Sequence, residues 1–266
     1  MAATVTERSV SIRAGLSGTM ATASGPHRVP CIVMLHGFGG HRDETGDLFK
    51  KLARRLAKQG LGSMRFDFPG CGKSDGEFAD VTAALYERAA IAALRFAKSA
   101  PGVDPECIGL LGFSFGGAIA ACLGGDAPRP RSLALWAPVG NPSVDMVESI
   151  GAERAAEAER KGSVAVPWGK GEIRLKRAFF RSLAELKPLE SVAGFNGSLF
   201  VVAGSGDPLA KYVGEFHAAA KSARRREKRV IEGADHFFGA TERRGGHVEP
   251  LLAATTDFLV SSLRAA

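Results

Sequence analysis

Cys107-Ile-Gly-Leu-Leu-Gly-Phe-Ser-Phe-Gly-Gly117 is the stretch of sequence that decides the fold. Its apolar run of strand length breaks at a glycine and continues into Ala118-Ile-Ala-Ala-Cys-Leu123, which predicts a buried strand, a sharp turn and a helix. Gly112-Phe-Ser-Phe-Gly116 has the G-x-S-x-G spacing, in which the turn projects the serine hydroxyl away from the backbone. The glycines carry no Cβ to collide with the strand and the helix. We therefore predict that Ser114 is an exposed nucleophile.

A second glycine-rich turn follows an earlier apolar run. Cys31-Ile-Val-Met-Leu-His36 is apolar up to its last residue, which predicts a central parallel strand, and it leads into His36-Gly-Phe-Gly-Gly40. A turn at this end of a strand can aim a backbone N–H at the ligand-binding edge of an α/β sheet. The first turn of a helix likewise leaves its N–H groups unpaired. We predict that the backbone N–H groups of Phe38 and Phe115 form an oxyanion hole.

A serine nucleophile needs a base, and the base needs an acid that orients it. Of the six histidines, His236 lies in a Gly-Ala-Asp-His turn just beyond the predicted strand 228–231. Asp207 follows the preceding predicted strand, so that Ser114, Asp207 and His236 stand in the nucleophile, acid, base order typical of this motif. Asp235 is the competing acid. Because adjacent side chains usually diverge, we assign Asp235 to stabilising its loop.

The alternation of predicted strands and helices from Cys31 onward indicates an α/β fold with an open, mostly parallel sheet and helices on both faces. Residues 141–185 interrupt this alternation over a length that exceeds the usual connection between elements. We interpret 141–185 as an inserted cap and residues 1–140 with 186–266 as the core domain. Trp168 is the one aromatic residue in the irregular part of the cap, and a helix over about 177–186 brings Phe180 nearby, either as pocket lining or as packing.

Composition narrows the class of protein. A chain of 266 residues with 45% hydrophobic and 24% charged residues is typical of a soluble globular protein. The net charge is +7, but the basic residues have acidic neighbours, and no aromatic residues alternate with the densest run, Arg224–Arg229, which we place at a helix C-terminus. This argues against a nucleic-acid partner.

The pattern of the cysteines and the length of the apolar runs indicate the cellular compartment of the protein. Cys31, Cys71, Cys107 and Cys122 form no C-x-x-C pair and lie mostly in apolar patterns, which favours buried free thiols in a reducing compartment. No run reaches the length of a membrane helix, and the N-terminus has no apolar signal core. We therefore expect a cytoplasmic protein with no membrane partner.

Four segments carry a family resemblance: HGFGG at 36–40, RFDFPGCGKSDG at 65–76, GFSFGG at 112–117 and IEGADHFF at 231–238. Together they resemble serine hydrolases of the α/β-hydrolase fold, and within these the feruloyl/cinnamoyl-esterase-like group of small carboxylesterases. The resemblance implies the triad Ser114, Asp207 and His236, oxyanion donors at Phe38 and Phe115, and a substrate-selecting lid at 141–185.

Substrate contacts follow from the same resemblance. Feruloyl esterases that resemble this chain bind a phenolic hydroxyl with polar lid residues that include a tyrosine, whereas Tyr86 and Tyr212 both lie outside the segment 141–185. Asp145 is the candidate to take over part of this role. The candidate substrate-binding residues are therefore Asp145, Trp168 and Phe180.

We predict a serine carboxylesterase that hydrolyses small to medium esters, aromatic acyl groups included, through an acyl-enzyme, with no metal or organic cofactor. The same triad serves peptidases, amidases and thioesterases, so an amide or thioester substrate remains open. The fold also supports non-catalytic ligand receptors, which usually lose a triad member. We expect the binding partner to be a small-molecule ester substrate. The oligomeric state is left open between a monomer and a homodimer.

Overall fold

The fold is known from a computed structural model, which describes residues 5–23, 27–125, 129–169, 171–242 and 246–264. The strands are β1 (Val5–Ile12), β2 (Leu16–Ala23), β3 (Val29–Leu35), β4 (Gly62–Phe66), β5 (Val103–Phe113), β6 (Ser132–Trp136), β7 (Ser163–Trp168), β8 (Gly171–Lys176), β9 (Ser198–Gly204) and β10 (Arg225–Ile231). The α-helices are α1 (Leu48–Lys58), α2 (Ala83–Ser99), α3 (Phe115–Gly124), α4 (Pro142–Ile150), α5 (Ala152–Lys161), α6 (Arg177–Ser182), α7 (Pro188–Ser191), α8 (Lys211–Ala219) and α9 (Val248–Arg264).

The main sheet has eight strands in the order β1-β2-β4-β3-β5-β6-β9-β10. The pairs β1–β2 and β2–β4 are antiparallel, and all pairs from β4 through β3, β5, β6 and β9 to β10 are parallel. The central strands read as continuous apolar runs because both of their faces are covered: every residue of Cys31–Leu35 in β3 is buried. This arrangement confirms the predicted α/β fold with its mostly parallel sheet.

Two groups of helices cover the sheet. Helices α1 and α9 contact each other and the sheet, while α2, α3, α7 and α8 form a second connected group against β5, β6, β9 and β10. Helix α1 shows how the sequence directs this packing, since its buried residues Leu48, Phe49, Leu52 and Leu56 recur at helical spacing. Because the strands from β4 to β10 are parallel, their carboxyl ends lie along one edge of the sheet, where the loops that follow them can meet.

The basic run Arg224–Arg229 does not lie at a helix C-terminus, so that prediction is wrong. Helix α8 ends at Ala219, and Arg225–Ile231 forms strand β10 instead. Among the strands that the structure describes, β10 pairs only with β9 and lies at the margin of the sheet, so most of its side chains stay exposed and can carry charge.

The segment between β6 and α7 contains α4, α5, a two-stranded antiparallel sheet of β7 and β8, and α6. The two strands were not predicted, although Val164 and Val166 alternate with partly buried or exposed residues as a half-buried strand requires. In the sequence, Pro167 and the glycines that follow it interrupt this alternation, so the hairpin was not recognised. Helix α6, with the single turn that follows it, occupies the place of the predicted helix over 177–186.

Among the described residues, no helix combines the length and the apolar character needed to cross a membrane.

Candidate active site

Ser114 lies at the turn that joins β5 to α3. Its backbone adopts φ 55° and ψ −120°, a conformation that residues other than glycine seldom adopt, and its N–H donates to the Trp136 carbonyl at 2.9 Å. A Cβ on Gly112 would stand 2.2 Å from the Gly116 carbonyl oxygen, and a Cβ on Gly116 would stand 2.3 Å from the Leu35 carbonyl oxygen. The two motif glycines are thus required sterically, because strand, turn and helix approach one another at backbone distance.

The structure brings Ser114, His236 and Asp207 into one chain of hydrogen bonds. His236 Nε2 lies 3.1 Å from Ser114 Oγ, and His236 Nδ1 lies 2.8 Å from Asp207 Oδ2. The second carboxylate oxygen of Asp207 accepts the Leu209 backbone N–H at 2.9 Å. Because Asp207 is buried and fixed at both oxygens, it can hold the imidazole with its proton on Nδ1 and leave Nε2 free to accept the serine proton.

Sheet register explains why these residues meet. Strands β9 and β10 are parallel, with Gly204 opposite Ile231, so the loops that carry Asp207 and His236 leave the sheet side by side. The His236 ring packs 5.0 Å from the Phe113 ring and 5.1 Å from the Phe237 ring. These two rings, which also contact each other at 5.9 Å, restrict the imidazole and help to keep it aligned between its two partners.

Asp235, the competing acid, makes a different contact. Its Oδ1 accepts the Gly239 backbone N–H at 2.7 Å. This bond stabilises the turn after His236, while the imidazole is oriented by Asp207.

The turn after β3 is held by His36. Burial lowers the pKa of His36, so the ring is neutral near pH 7. Its Nε2 accepts the Phe68 backbone N–H at 3.0 Å, which places the proton on Nδ1, and Nδ1 donates to the Gly37 carbonyl at 2.8 Å. His36 therefore braces the glycine turn and does not shuttle protons.

The backbone N–H groups of Phe38 and Phe115 have no hydrogen-bond acceptor among the described residues. Both belong to segments beside Ser114: Phe115 follows it directly, and a Cβ built on Gly37 would stand 3.5 Å from Ser114 Cβ. Two free donors next to a serine hydroxyl are the components of an oxyanion hole.

Two cavities meet at Ser114 and His236. The larger, about 530 Å³, has an aromatic wall formed by Phe38, Phe113, Trp168 and Phe237. The smaller, about 410 Å³, is lined by apolar residues and by the charged residues Asp145, Glu148 and Lys211. Met146 and Ser149 of α4 border both cavities. An elongated molecule could therefore extend to both sides of the serine.

The three predicted substrate-binding residues have different places. Trp168 lines the larger cavity, with its ring edge-on to Phe38 at 5.4 Å. Phe180 packs against Phe179 at 5.4 Å and is not among the described residues that line either cavity. Asp145 borders the smaller cavity but is buried.

The carboxylate of Asp145 already has partners. It accepts the Tyr212 hydroxyl at 2.9 Å and the Asn141 backbone N–H at 2.8 Å, and Lys211 Nζ lies 3.5 Å away. Burial and the Asp145 charge raise the pKa of Tyr212, so its hydroxyl remains a donor. No local pattern in the sequence marks this pair, since the two residues are 67 positions apart.

Among the described residues, no group of three or more histidine, cysteine or acidic side chains is placed to hold a metal ion.

Comparison with known proteins identifies the family to which the fold belongs. A family model described as "Alpha/beta hydrolase family" matches residues 32–245. A curated relative from Escherichia coli, an "Uncharacterized 31.7 kDa protein in traX-finO intergenic region", is 31% identical over 103 residues, which are 39% of this chain and 35% of the relative. The matched stretch thus spans about a third of that relative's length.

Several solved structures share the whole architecture. Est1E from Butyrivibrio proteoclasticus, solved with bound ferulic acid, has a TM-score of 0.73 at 20% identity, covering 97% of this chain and 99% of that one. The alpha/beta hydrolase GrgF from Penicillium sp. sh18 has a TM-score of 0.71 at 17% identity and covers 98% and 99%. The esterase Pf2001 from Pyrococcus furiosus has a TM-score of 0.66 at 18% identity and covers 98% and 94%. At these identities the likeness concerns the fold.

Proposed function

The chain belongs to the alpha/beta hydrolase family, and from this premise we propose that it is a serine carboxylesterase that works through an acyl-enzyme. The observation that carries the proposal is the continuous path from Ser114 Oγ through His236 to the buried Asp207 carboxylate. A hydroxyl, an imidazole and a carboxylate in this order form the machinery of nucleophilic acyl transfer.

In the first half-reaction, His236 Nε2 accepts the Ser114 proton while Oγ attacks the ester carbonyl carbon. The carbonyl oxygen becomes an oxyanion, and the N–H groups of Phe38 and Phe115 are available to stabilise it. Asp207 stabilises the imidazolium that forms. His236 then protonates the departing alcohol, which leaves the acyl group on Ser114.

In the second half-reaction, His236 removes a proton from water, and the hydroxide attacks the acyl carbonyl carbon. The oxyanion forms in the same place, and its collapse breaks the bond to Ser114 Oγ. His236 returns the proton to Oγ, so the carboxylic acid leaves and the enzyme is restored. Every proton in this cycle passes through His236.

The cavities favour a small to medium ester with a flat apolar group. The larger cavity has four aromatic residues in its wall, which suit stacking or edge-on packing against an aromatic ring. Est1E binds ferulic acid, an aromatic acid, on the same fold. Both observations support an aromatic acyl group among the substrates.

The segment 141–185 serves in this proposal as a lid that selects the substrate, on a core of residues 1–140 and 186–266. Helix α4 supplies Met146 and Ser149 to both cavities, and strand β7 supplies Trp168 to the larger one. A cytoplasmic location is part of the same proposal, supported by four buried cysteines that form no disulfide bond among the described residues.

The Ser114→Ala variant tests the proposal. Because alanine removes the nucleophile without filling or opening the core, we expect it to abolish hydrolysis of short p-nitrophenyl esters and to leave the far-UV circular dichroism and the melting temperature close to those of the wild type. Matched ester, thioester and amide substrates, measured with the wild type, would show which acyl derivative is turned over fastest. Retention of most esterase activity in Ser114→Ala would refute the assignment.

A further inference from the structure

Glu44 has a backbone conformation that is nearly exclusive to glycine. Its φ is 60° and its ψ is 168°, although it carries a full side chain and is 3% exposed. A non-glycine residue persists there only when its surroundings enforce it, and such residues concentrate at functional sites. Neither a motif nor a periodic pattern marks Glu44 in the sequence.

The contacts of the Glu44 carboxylate explain what holds it. Oε2 accepts the Gly37 backbone N–H at 2.8 Å. Oε1 accepts the Thr45 backbone N–H at 2.9 Å and the Thr45 hydroxyl at 3.3 Å. Glu44 also borders the larger cavity, beside the turn 37–40. A buried carboxylate is thus directed at the turn that carries the proposed oxyanion donor.

Because peptide bonds are planar, these contacts also determine the direction of the Phe38 N–H. The Gly37 carbonyl and the Phe38 N–H belong to one planar peptide unit, and His36 Nδ1 fixes that unit through the carbonyl at 2.8 Å. The Gly37 N–H belongs to the preceding unit, which Glu44 fixes. With both units held, the two dihedral angles of Gly37 are set, although glycine is the residue least able to set them itself.

We propose that Glu44 is a positioning residue of the oxyanion hole: its carboxylate, through the Gly37 N–H, aims the Phe38 N–H at the developing oxyanion. This inference rests on the proposed esterase function and names a residue of that site outside the triad and the two oxyanion donors. The strained backbone of Glu44 is retained because glycine, which would fit the conformation, has no carboxylate to offer.

Three variants separate the carboxylate from the backbone. Glu44→Gly relieves the strain of the positive φ but removes the carboxylate with its hydrogen bonds to Gly37 and Thr45, so its two effects on stability oppose each other while the positioning is lost. Glu44→Gln keeps one oxygen that can accept the Gly37 N–H, but its amide group cannot accept the Thr45 N–H. Asp43→Asn is the matched control: it removes one negative charge from the neighbouring position, where the carboxylate pairs with Arg65 Nη1 at 2.6 Å and not with the turn.

Kinetics with p-nitrophenyl acetate is the first readout. We expect Glu44→Gly to lower kcat by about 10- to 100-fold, less than the loss of a whole oxyanion donor, with KM within about twofold of wild type. Glu44→Gln should fall between Glu44→Gly and the wild type, and Asp43→Asn should match the wild type. The inhibition constant of a trifluoromethyl ketone should rise in proportion to the loss of kcat/KM, because that adduct carries the oxyanion.

Amide hydrogen exchange at Gly37, measured by NMR, is the second readout and needs no activity. The proposal predicts slow exchange in the wild type and in Asp43→Asn, and faster exchange in Glu44→Gly at a temperature well below the melting temperature of that variant. Wild-type protein that hydrolyses no ester would contradict the proposed function. The exchange rates would still show whether the Glu44 carboxylate holds the Gly37 N–H. Unchanged kcat and unchanged Gly37 exchange in Glu44→Gly, or a loss of activity that follows melting temperature across the variants, would overturn the inference.

Discussion

At the residue scale, the proposed acid Asp207 differs from its competitor Asp235 in what its carboxylate contacts. Asp207 and Asp235 both lie close to His236 in the fold, but Asp207 contacts the imidazole, whereas Asp235 binds the Gly239 backbone. Sequence order suggested the same division, since adjacent side chains usually diverge. The geometry adds that Asp207 has both carboxylate oxygens occupied, which fixes its direction as well as its position.

The Asp207→Asn variant tests this division. An asparagine amide that donates to Nδ1 would favour the imidazole tautomer with its proton on Nε2, which cannot accept the serine proton. We expect kcat for a p-nitrophenyl ester to fall by about 10³- to 10⁴-fold. Asp235→Asn is the matched control and should keep kcat near the wild-type value. A larger loss in Asp235→Asn than in Asp207→Asn would reverse the assignment.

At the element scale, the β7–β8 hairpin shapes the larger cavity. Trp168 lies so close to the turn after β3 that a Cβ on Gly39 would stand 2.6 Å from Trp168 Nε1. Gly39 also has φ +65°, so glycine is needed there for its backbone as well as for space. The segment 141–185 and the turn 37–40 are therefore in direct contact.

Trp168→Ala should widen this cavity and change acyl preference. We expect the ratio of kcat/KM for a bulky aromatic acyl ester to that for the acetyl ester to rise by about tenfold, the usual scale for pocket size effects. Phe180→Ala is the matched control, because Phe180 packs on Phe179 and lines neither cavity. An unchanged ratio in Trp168→Ala would show that this wall does not contact the acyl group.

The loop that follows β4 depends on Asp67. Burial alone would raise the pKa of Asp67, but hydrogen bonds from the Lys73 and Arg42 backbones and from the Arg42 guanidinium, at 2.5 Å, outweigh it and lower the pKa. A carboxyl group whose pKa is lower in the folded state stabilises the fold above its unfolded pKa, and this stabilisation is lost as pH falls through the folded pKa.

Asp67→Asn should therefore destabilise the protein by about 3 kcal/mol at pH 7, since it leaves the half-buried Arg42 guanidinium without its carboxylate partner. Below about pH 4, the difference from the wild type should shrink as Asp67 becomes protonated. Urea unfolding at several pH values measures both. Glu159→Gln, which breaks an exposed pair with Arg181, should have no measurable effect. A difference that stays constant down to pH 2 would contradict the ionic account.

At the scale of the whole molecule, the sequence predicted whatever depends on local pattern. Apolar runs such as Cys31–Leu35 and the glycines around Ser114 determine strands and turns within a few residues, so the sheet and the loops at its edge were predictable. Strand β10 was missed in part because a marginal strand can be made of charged residues. Contacts such as Tyr212 to Asp145 and Glu44 to Gly37 depend on tertiary packing and on an unusual φ, which no local pattern encodes.

The proposed function depends on one proton relay that ends in an acyl group on Ser114. The most direct measurement is mass spectrometry of the protein quenched during turnover of a slowly deacylated ester, such as p-nitrophenyl pivalate, followed by peptide mapping. We predict one acyl group per chain, located on Ser114, and no adduct in Ser114→Ala. Ester turnover with the acyl group on another residue would contradict the proposed mechanism.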